Sequence, residues 1–369
     1  MVKFHMPTKV YVGEKCLFEN KSEFIIGKNA FIVTGKSSGK KSGALDDVIS
    51  LLENAGISYY VYDKIENNPE INDMVIAGAV AHQLNSDFII GIGGGSPLDA
   101  AKAIAVYATN PANKNGSFEA YDIFTGEYKN KPLPMVAIPT TIGTGSEVTP
   151  YSILTLHKEK TKKSFSSPDT FFKSAFLDGR YVLNLPLQVA RNTAVDALSH
   201  LIEGYTNKKA SFASDYIAIE GLKVLGKHFQ KLDEGELDVE ACTELLWAST
   251  LGGIVISQTG TTIVHSMGYE LTYFKNIPHG MANGLLLYEY IKHADKKRIA
   301  ACLYNLGFVT LDGFKNFLNK ILPCDCEFSE EEIKGWAEIA IKARNVSSCP
   351  FDVTIDDEIE MYRASLIKH

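Results

Sequence analysis

The chain has no long apolar run and no excess of positive charge. None of its segments approaches the ~18–20 apolar residues that a membrane span needs, and its amino-terminal segment lacks the apolar core of a signal peptide. Its formal net charge of −7 argues against nucleic acid or an anionic membrane surface as a partner. We therefore expect a soluble, cytoplasmic protein.

The six cysteines are scattered, and none of them forms a C-x-x-C pair. Cys324 and Cys326 form a C-x-C pair, which is neither a redox motif nor a zinc-site spacing. We interpret all six as reduced thiols, which agrees with a cytoplasmic location. The sequence has no internal repeat and no low-complexity segment. Its length of 369 residues is enough for two domains.

Strands and helices alternate through the first half of the chain. Short apolar runs bounded by turn residues predict strands, and apolar residues at helical spacing predict helices between them. This alternation predicts a doubly wound α/β domain, with a parallel sheet between layers of helices. The predicted strands are 30–34, 57–62, 88–92, 135–138, 152–156 and 175–177, and the predicted helices are 42–55, 70–84 and 97–108.

The sequence pattern changes after Asp178. Residues 179–186 carry the turn signals of a linker, and beyond them we find long helical patterns and almost no convincing strand. We expect a dinucleotide-binding α/β domain over residues 1–184 and an all-helical domain over residues 185–369. The predicted helices of the second domain are 187–206, 211–230, 239–258 and 261–272, with more from residue 280 onward.

A glycine-rich turn, Gly91-Ile-Gly-Gly-Gly-Ser-Pro-Leu-Asp99, joins the third predicted strand to a helix. Its glycines let backbone N–H groups approach a ligand closely. We expect Ser96 to be the helix N-cap, Pro97 the first helical residue and Asp99 the capping-box partner. Such a turn is an anion site, and we interpret it as a site for a dinucleotide pyrophosphate. A turn without a ligand is the alternative, since the spacing differs from G-x-G-x-x-G.

The next strand is followed by a loop rich in hydroxyl groups, Pro139-Thr-Thr-Ile-Gly-Thr-Gly-Ser-Glu147. Four hydroxyls and two glycines make this loop a flexible source of hydrogen-bond donors. The loop and the glycine turn both follow the carboxyl ends of predicted parallel strands, where α/β sheets bind ligands. We therefore predict that the loop contributes to the nucleotide site.

The end of the first predicted strand indicates which nucleotide is bound. Sites for NAD usually place a carboxylate near the adenine ribose, and a carboxylate would repel a 2′-phosphate. No acidic residue follows this strand until Asp46, and the chain instead offers Gly35, Ser37 and Ser38 with three lysines nearby. We predict NADP(H) rather than NAD(H). A solvated surface is the alternative for Lys40 and Lys41.

Asp196 and His200 are four residues apart, so a helix would place both side chains on one face, one turn apart. Two further histidines, His265 and His279, could approach from other helices. One carboxylate and three imidazoles suit a borderline divalent metal such as Fe(II) or Zn(II). We predict a catalytic metal centre, and ordinary core histidines are the alternative.

Together these motifs resemble those of the iron-containing (group III) alcohol dehydrogenases over nearly the whole chain. The resemblance implies an amino-terminal nucleotide-binding domain, a carboxyl-terminal helical metal domain and a cleft between them. It places the metal ligands, which are also the catalytic residues, at Asp196, His200, His265 and His279. The matching segments are residues 6–13, 93–102, 139–149, 196–204 and 278–280.

The resemblance also implies nucleotide contacts in the two loops and at two more distant residues. Members that use NAD carry an aspartate where this chain has Gly35, which agrees with the prediction of NADP(H). The predicted cofactor-binding residues are Gly35, Ser37, Ser38, Asn68, Gly94, Gly95, Ser96, Asp99, Thr140, Thr141, Thr144, Ser146 and Lys162.

The chain departs from many members at Tyr269, where they carry a histidine that is thought to help move the alcohol proton. A phenol with a reference pKa near ~10 is a poor base at neutral pH. Either Tyr269 only shapes the pocket, or a water chain or a ribose hydroxyl carries the proton. We leave Tyr269 out of the catalytic residues.

We expect a metal-dependent alcohol dehydrogenase or aldehyde reductase that transfers a hydride between a primary alcohol or aldehyde and NADP(H). Fe(II) is the expected metal, with zinc as the alternative. A dehydroquinate synthase-like lyase, or a glycerol dehydrogenase-like enzyme of the same architecture, is the alternative function. The resemblance further suggests a homodimer or a larger homo-oligomer.

Overall fold

A computed structural model of the chain describes residues 2–112, 118–159 and 161–367. The strands of this part of the chain are β1 (Lys9–Val12), β2 (Asn29–Gly35), β3 (Ser58–Ile65), β4 (Phe88–Gly93), β5 (Met135–Pro139), β6 (Tyr151–Leu156), β7 (Thr161–Ser166) and β8 (Ser174–Leu177).

Three of its α-helices are single turns, and the others are longer. In chain order they are α1 (Cys16–Glu19), α2 (Lys21–Phe24), α3 (Ser38–Lys41), α4 (Ala44–Asn54), α5 (Ile71–Gln83), α6 (Gly95–Thr109), α7 (Leu187–Thr206), α8 (Phe212–Glu234), α9 (Val239–Thr259), α10 (Ile263–Lys275), α11 (His279–His293), α12 (Lys296–Leu306), α13 (Leu311–Ile321), α14 (Glu330–Ala340) and α15 (Ile355–Leu366).

Six strands form one parallel sheet in the order β1-β8-β5-β4-β2-β3. The central strands β4 and β5 are buried at every position, as strands covered on both faces are. On one face, Val48 and Leu52 of α4 pack in a core cluster with Ile32 and Ile90 of the sheet. On the other, a Cβ added to Gly91 would lie 3.2 Å from the Cβ of Ala101 in α6. The predicted α/β fold class is confirmed.

The sheet differs from the predicted set of strands in two places. The predicted strand 152–156 lies outside it, because β6 pairs antiparallel with β7 in a separate two-stranded sheet. The strand β1, which was not predicted, pairs with β8 at one edge. The strand β7 has little sequence signal, since it reads Thr-Lys-Lys-Ser-Phe-Ser. The strand β1 reads Lys-Val-Tyr-Val, and its β-branched and aromatic residues are a strand signal that our sequence analysis overlooked.

The described chain beyond Leu185 contains helices and no strand, as the sequence predicts. The helix α7 begins and ends at the predicted residues. One helix, α9, is long and apolar enough to cross a membrane, with a mean hydropathy of 1.3 over an 18-residue window. However, 72% of that window is buried inside the structure, as expected of a core helix.

The pattern of contacts divides the described chain into two compact units. The sheet unit comprises Met6–Leu185 and Asp238–Leu246, and the helical unit comprises the rest. The first turns of α9 therefore group with the sheet, whereas our sequence analysis assigned residues 238–246 to the helical part. The start of α9 packs closely on the segment that follows β8. A Cβ added to Gly179 would lie 2.4 Å from the carbonyl oxygen of Val239.

Two carboxyl groups are buried together in the helical unit. Glu358 of α15 is fully buried, Glu270 of α10 is 4% exposed, and neither oxygen of Glu358 has a hydrogen-bond partner among the described residues. Burial, followed by repulsion from Glu270, raises the pKa of Glu358 to about 8. The folded chain therefore holds a proton at neutral pH that the unfolded chain, with a glutamate pKa of about 4.3, releases.

This proton makes stability depend on pH. The free energy of unfolding should fall as the pH rises from about 4.3 towards 8 and should level off above that, because the folded state binds more protons between these values. We expect Glu358→Gln to remove this fall. The difference in free energy of unfolding between the variant and the wild type should therefore rise by about 2–3 kcal/mol between pH 6 and pH 8.5. Urea unfolding at both pH values tests this. Glu360→Gln, on the exposed face of the same helix, is the control.

Candidate functional site

The four predicted metal ligands converge within the helical unit from three helices. Asp196 and His200 share one face of α7, His265 lies on α10, and His279 is the first residue of α11. The imidazole Nε2 atoms lie 3.9, 3.8 and 3.7 Å from the Oδ1 of the aspartate, in chain order. These distances are too long for hydrogen bonds. They are close to the roughly 3.4 Å that separates two tetrahedral ligands about 2.1 Å from one metal.

The cluster fits a divalent metal in its donors and in its burial. The donor atoms of Asp196, His265 and His279 all lie within 4.8 Å of one another. Asp196, His200 and His265 are buried, whereas 29% of the His279 side chain is exposed. A small molecule can therefore reach the cluster from the side of His279. Three imidazoles and one carboxylate are the donors that iron and zinc accept.

A second carboxylate orients one of the imidazoles. Glu203 of α7 is fully buried and accepts a short hydrogen bond from the Nδ1 of His265. Its other oxygen accepts hydrogen bonds from the backbone N and the Oγ1 of Thr262, at 2.8 and 2.5 Å. A proton held at Nδ1 leaves the Nε2 of His265, which faces Asp196, as the unprotonated nitrogen. A carboxylate behind a histidine is the usual support of a metal-binding imidazole.

The charges of the cluster favour a cation. Burial opposes ionisation of Asp196, but the three surrounding imidazoles outweigh it and lower the pKa of Asp196 below its usual value. Burial likewise opposes a charged His265, yet Glu203 and Asp196 together raise the pKa of His265. Two buried carboxylates thus stabilise positive charge at this position, and a divalent ion would supply it.

Close helix packing brings the ligands together. The helix α10 ends at Lys275, and its C-cap residue Asn276 turns the chain with a φ of 55°. Pro278 then precedes the first turn of α11. A Cβ added to Gly280 would lie 1.9 Å from the carbonyl oxygen of Asn192 in α7. The first turn of α11 therefore touches the backbone of α7, and only glycine permits this approach.

The ring of Tyr269 stacks on the imidazole of His279, with centroids 5.3 Å apart and planes 15° from parallel. The same phenol meets His265 edge-on at 6.4 Å. Tyr269 thus packs against two of the predicted ligands and forms part of the wall of the cluster.

In the sheet unit, the glycine turn lies at the carboxyl end of β4, but its cap differs from the prediction. Helix α6 begins at Gly95, with Gly94 in an extended conformation as the N-cap and no capping side chain. The predictions of Ser96 as N-cap, of Pro97 as the first helical residue and of Asp99 as a capping-box partner are therefore wrong. The helix begins one residue before Ser96, whose Oγ accepts a hydrogen bond from the backbone N of Asn68 instead of capping the helix.

The hydroxyl-rich loop packs directly on the glycine turn. A Cβ added to Gly94 would lie 2.9 Å from the Oγ1 of Thr141, and one added to Gly95 would lie 2.8 Å from the Cγ2 of Thr144. Thr140 follows β5, and its backbone N bonds to the carbonyl oxygen of Gly93. The structure therefore brings these predicted cofactor residues together, with backbone N–H groups of α6 at the same end of the sheet.

Lys102, which was not predicted as a site residue, fastens this loop to α6. Its fully buried Nζ donates hydrogen bonds to the carbonyl oxygen and the Oγ of Ser146 and to the carbonyl oxygen of Tyr151. The carboxylate of Asp99 accepts from the Oγ of Ser146 and the backbone N of Ile153. Burial lowers the pKa of Lys102 to about 8, although Asp99 and Glu147 oppose this shift. The side chains of Asp99 and Ser146 thus form hydrogen bonds with other residues of the protein, and these bonds position the loop.

The remaining predicted cofactor residues occupy two places in the same unit. Lys162 of β7 donates a 2.7 Å hydrogen bond to the Oδ1 of Asn68, which also contacts Ser96 through its backbone. Gly35 ends β2, and a Cβ added there would lie 2.9 Å from the Oγ of Ser38. Ser37 is the N-cap residue of α3 and makes no side-chain cap hydrogen bond.

A carboxylate that the sequence analysis missed lies near the predicted NADP(H) determinants. Lys36 pairs with Glu66, which follows β3, at 2.6 Å, and both side chains are 68% exposed. An exposed pair of this kind contributes little to stability, so Lys36 can exchange Glu66 for another anion.

Two other site residues that the sequence analysis missed had a signal in the sequence. Glu203 lies seven residues after Asp196 on the same helix face, and Lys102 is the last residue of the family-matching segment 93–102.

Models of one protein family match both units. The model described as iron-containing alcohol dehydrogenase matches residues 7–179, and that of the carboxyl-terminal region of the Fe-containing alcohol dehydrogenase family matches residues 190–366. The chain belongs to the iron-containing alcohol dehydrogenase family. It is an NAD(P)-dependent oxidoreductase that acts on the CH–OH group of small alcohols or on the corresponding aldehydes. The alcohol dehydrogenase prediction is confirmed over the lyase alternative.

Individual members of this alcohol dehydrogenase family align along most of the chain. The chain is 32% identical to the NADPH-dependent butanol dehydrogenase of Clostridium saccharobutylicum, over 80% of this chain and 75% of that protein. It is 38% identical to an iron-containing alcohol dehydrogenase of Thermotoga maritima, with a TM-score of 0.90 over 99% of both chains. A sulfoacetaldehyde reductase of Bifidobacterium kashiwanohense, solved with NAD+, is 26% identical, with a TM-score of 0.87 over 100% of both chains.

The close approach of α11 to α7 gives a test of how tightly the dehydrogenase packs its ligand helices. We expect Gly280→Ala to lower the free energy of unfolding by about 2–3 kcal/mol, because the new methyl group would collide with the backbone of Asn192. Gly335→Ala is the matched control, since a Cβ meets nothing within 4 Å there, in an exposed part of α14. That change should stabilise the chain by roughly 0.5–1 kcal/mol. Equal effects of the two changes in chemical denaturation would contradict the close packing.

Proposed function

We propose that the chain is an NADP(H)-dependent alcohol dehydrogenase and aldehyde reductase whose iron is held by Asp196, His200, His265 and His279. The observation that carries this proposal is the placement of three imidazole Nε2 atoms within 3.7–3.9 Å of one buried carboxylate oxygen. A bound divalent metal supplies Lewis-acid chemistry, which favours the alkoxide form of an alcohol and polarises an aldehyde carbonyl.

Residues of the chain have separate tasks in this scheme. Asp196 supplies the negative charge among the ligands, and Glu203 fixes the ring and the tautomer of His265. The partly exposed His279 and the phenol of Tyr269 form the accessible side, where a small alcohol or aldehyde would bind. Tyr269 packs on an imidazole and shapes this side. These roles leave the alcohol proton to water or to a ribose hydroxyl.

The proposed nucleotide site is in the sheet unit. Backbone N–H groups at the first turn of α6 would bind the pyrophosphate, and the hydroxyls of Thr140, Thr141 and Thr144 would add donors. Lys102 would keep the loop in place. Relatives at this level of identity include a butanol dehydrogenase named as NADPH-dependent and a reductase bound to NAD+. The choice of NADP(H) therefore rests on Gly35, Ser37 and Ser38 of this chain.

A cytoplasmic location and assembly into a homodimer or larger homo-oligomer remain part of the proposal. The reduced state of the cysteines supports the location, since all six are free thiols and four are buried. Size-exclusion chromatography with light scattering would measure the oligomeric state.

Loss of ligand imidazoles should remove both metal and turnover. We expect His265→Ala and His279→Ala each to lower metal content well below one ion per chain and to lower kcat for aldehyde-dependent NADPH oxidation by at least about 100-fold. Metal analysis after anaerobic purification and steady-state kinetics measure the two effects.

The control for these variants is His293→Ala, an exposed histidine on the same helix as His279. It should retain metal and turnover. If the double variant His265→Ala, His279→Ala kept full activity, the assignment of the metal ligands would be wrong.

The nucleotide preference can be tested at one position. We expect Gly35→Asp to lower kcat/KM for NADPH by at least about tenfold and to change that for NADH little, because the new carboxylate repels only the 2′-phosphate. The Oγ of Ser38 is the nearest atom to a Cβ there, and it can rotate away. Gly35→Ala controls for the added volume. A wild-type preference for NADH would overturn the proposed cofactor and leave the enzyme class unchanged.

A further inference from the structure

Two of the six cysteines are accessible to reagents in solution. Cys326 is exposed and Cys324 is half-buried, whereas the other four are buried. Burial is the main cause that raises the pKa of the Cys16, Cys302 and Cys349 thiols, in each case to about 12, so these groups stay protonated and unreactive at neutral pH. A thiol reagent or an oxidant therefore meets Cys324 and Cys326 first.

The accessible cysteines lie in an irregular segment between two helices. Helix α13 ends at Ile321 and α14 begins at Glu330, so residues 323–329 belong to neither. The two-residue separation of the cysteines limits the distance between their Cα atoms to about 7 Å, and disulfides usually join Cα atoms about 4.4–6.8 Å apart. A slight bend at Asp325 brings the pair into this range, whereas a helix would point the two side chains in different directions.

The two accessible thiols are in contact with each other. The thiol of Cys326 is hydrogen-bonded to that of Cys324. Partial burial raises the pKa of Cys326, the neighbouring Cys324 raises it further, and the ammonium group of Lys275 opposes the shift. The C-x-C spacing alone indicated neither a redox motif nor a zinc site, and the structure adds the contact between the two sulfurs.

The chain directly after the pair is held in place. Lys275, the last residue of α10, donates a 3.0 Å hydrogen bond from its Nζ to the carbonyl oxygen of Glu327. The ring of Phe328 meets Trp336 of α14 edge-on, with centroids 6.2 Å apart. Because these contacts already restrict the backbone beside Cys326, a bond between the two sulfurs costs little further conformational entropy.

We propose that Cys324 and Cys326 are a thiol-modification site that forms a reversible disulfide within the folded enzyme. One thiolate of the pair attacks a low-molecular-weight disulfide such as oxidised glutathione, and one glutathione leaves as a thiol. The other cysteine then attacks the protein sulfur of this mixed disulfide and releases the second glutathione. The pair gives up two electrons and two protons, and one glutathione disulfide becomes two glutathione thiols.

The disulfide should be easy to reduce again. Exposed disulfides are the labile or regulatory ones, because reducing thiols reach them, and disulfides of cytosolic proteins are mostly transient. A second thiol beside the first also diverts oxidation towards the disulfide and away from the irreversible sulfinic and sulfonic acids. The site therefore cycles between a dithiol, which is its state in the structure, and a disulfide.

The test uses the complete, metal-loaded enzyme, kept free of oxygen so that added oxidised glutathione is the oxidant. After incubation, the remaining thiols are alkylated and the peptides are mapped by mass spectrometry. Cys324→Ser and Cys326→Ser each remove one partner at the surface, and Cys302→Ala, on the buried face of α12, is the control.

We expect the wild-type peptide that contains both cysteines to lose two hydrogen atoms, to carry no glutathione and to return to the dithiol with dithiothreitol. Cys302→Ala should give the same result. Each serine variant should instead keep one glutathione on its remaining cysteine. A glutathione that stays on wild-type Cys324 or Cys326, or a wild-type pair that does not react, would overturn the proposal.

A second measurement asks whether the fold arranges the pair. A peptide with the sequence of residues 320–330 contains the same two cysteines without the contacts made by Lys275 and Trp336. We expect the equilibrium constant for disulfide formation with glutathione to be at least about tenfold larger in the folded enzyme than in this peptide, because less conformational freedom remains to be lost. Equal constants would mean that the spacing alone produces the disulfide and that the fold builds no site there.

Discussion

The structure of the helical unit depends on two buried carboxylates, Asp196 and Glu203, neither of which pairs with a lysine or an arginine in the part of the chain that the structure describes. A buried carboxylate is costly unless a cation or hydrogen bonds compensate it. Glu203 is compensated by Thr262 and His265, and Asp196 by imidazoles and the amide of Asn283. Glu203 therefore contacts His265, and His265 faces Asp196. A cation bound beside Asp196 would compensate the remaining negative charge. These contacts require α7 and α10 to pack closely, because Asp196 and Glu203 lie on α7 and His265 lies on α10.

The sheet unit balances its buried charge in another way. Lys102 is fully buried and compensates the nearby carboxylate of Asp99 over 3.8 Å, while its hydrogen bonds go to the loop after β5. The charges of Lys102 and Asp99 are thus compensated by each other and by hydrogen bonds within the protein, without a bound ligand. In the proposed nucleotide site, the ligand would instead meet uncharged groups, namely backbone N–H groups and hydroxyls. Fixed dipoles of this kind bind an anion and release it again without leaving a charge unpaired.

The sequence predicted the features that depend on local periodicity, and it missed those that depend on tertiary contacts. The spacing of Asp196 and His200 placed both on one face of α7 because helical periodicity alone determines this. The cap of α6 was wrong, because the position of Ser96 depends on Asn68, which is distant in sequence. The strand β7 was missed, since its polar residues carry no alternating pattern and only pairing with β6 makes them a strand.

The two units should respond differently to substitution, because their polar groups are compensated in different ways. At the metal cluster, removing one member leaves another buried charge or polar atom without a partner, so effects of substitution there should be large and coupled. At the nucleotide loops, each N–H or hydroxyl contributes separately, and substitutions should change affinity in smaller, nearly additive steps. Gly35 and Lys36 belong to the second kind, because they lie at an exposed strand end with a weak ion pair. If these positions determine nucleotide preference as proposed, single surface substitutions would change it while the metal cluster stays the same.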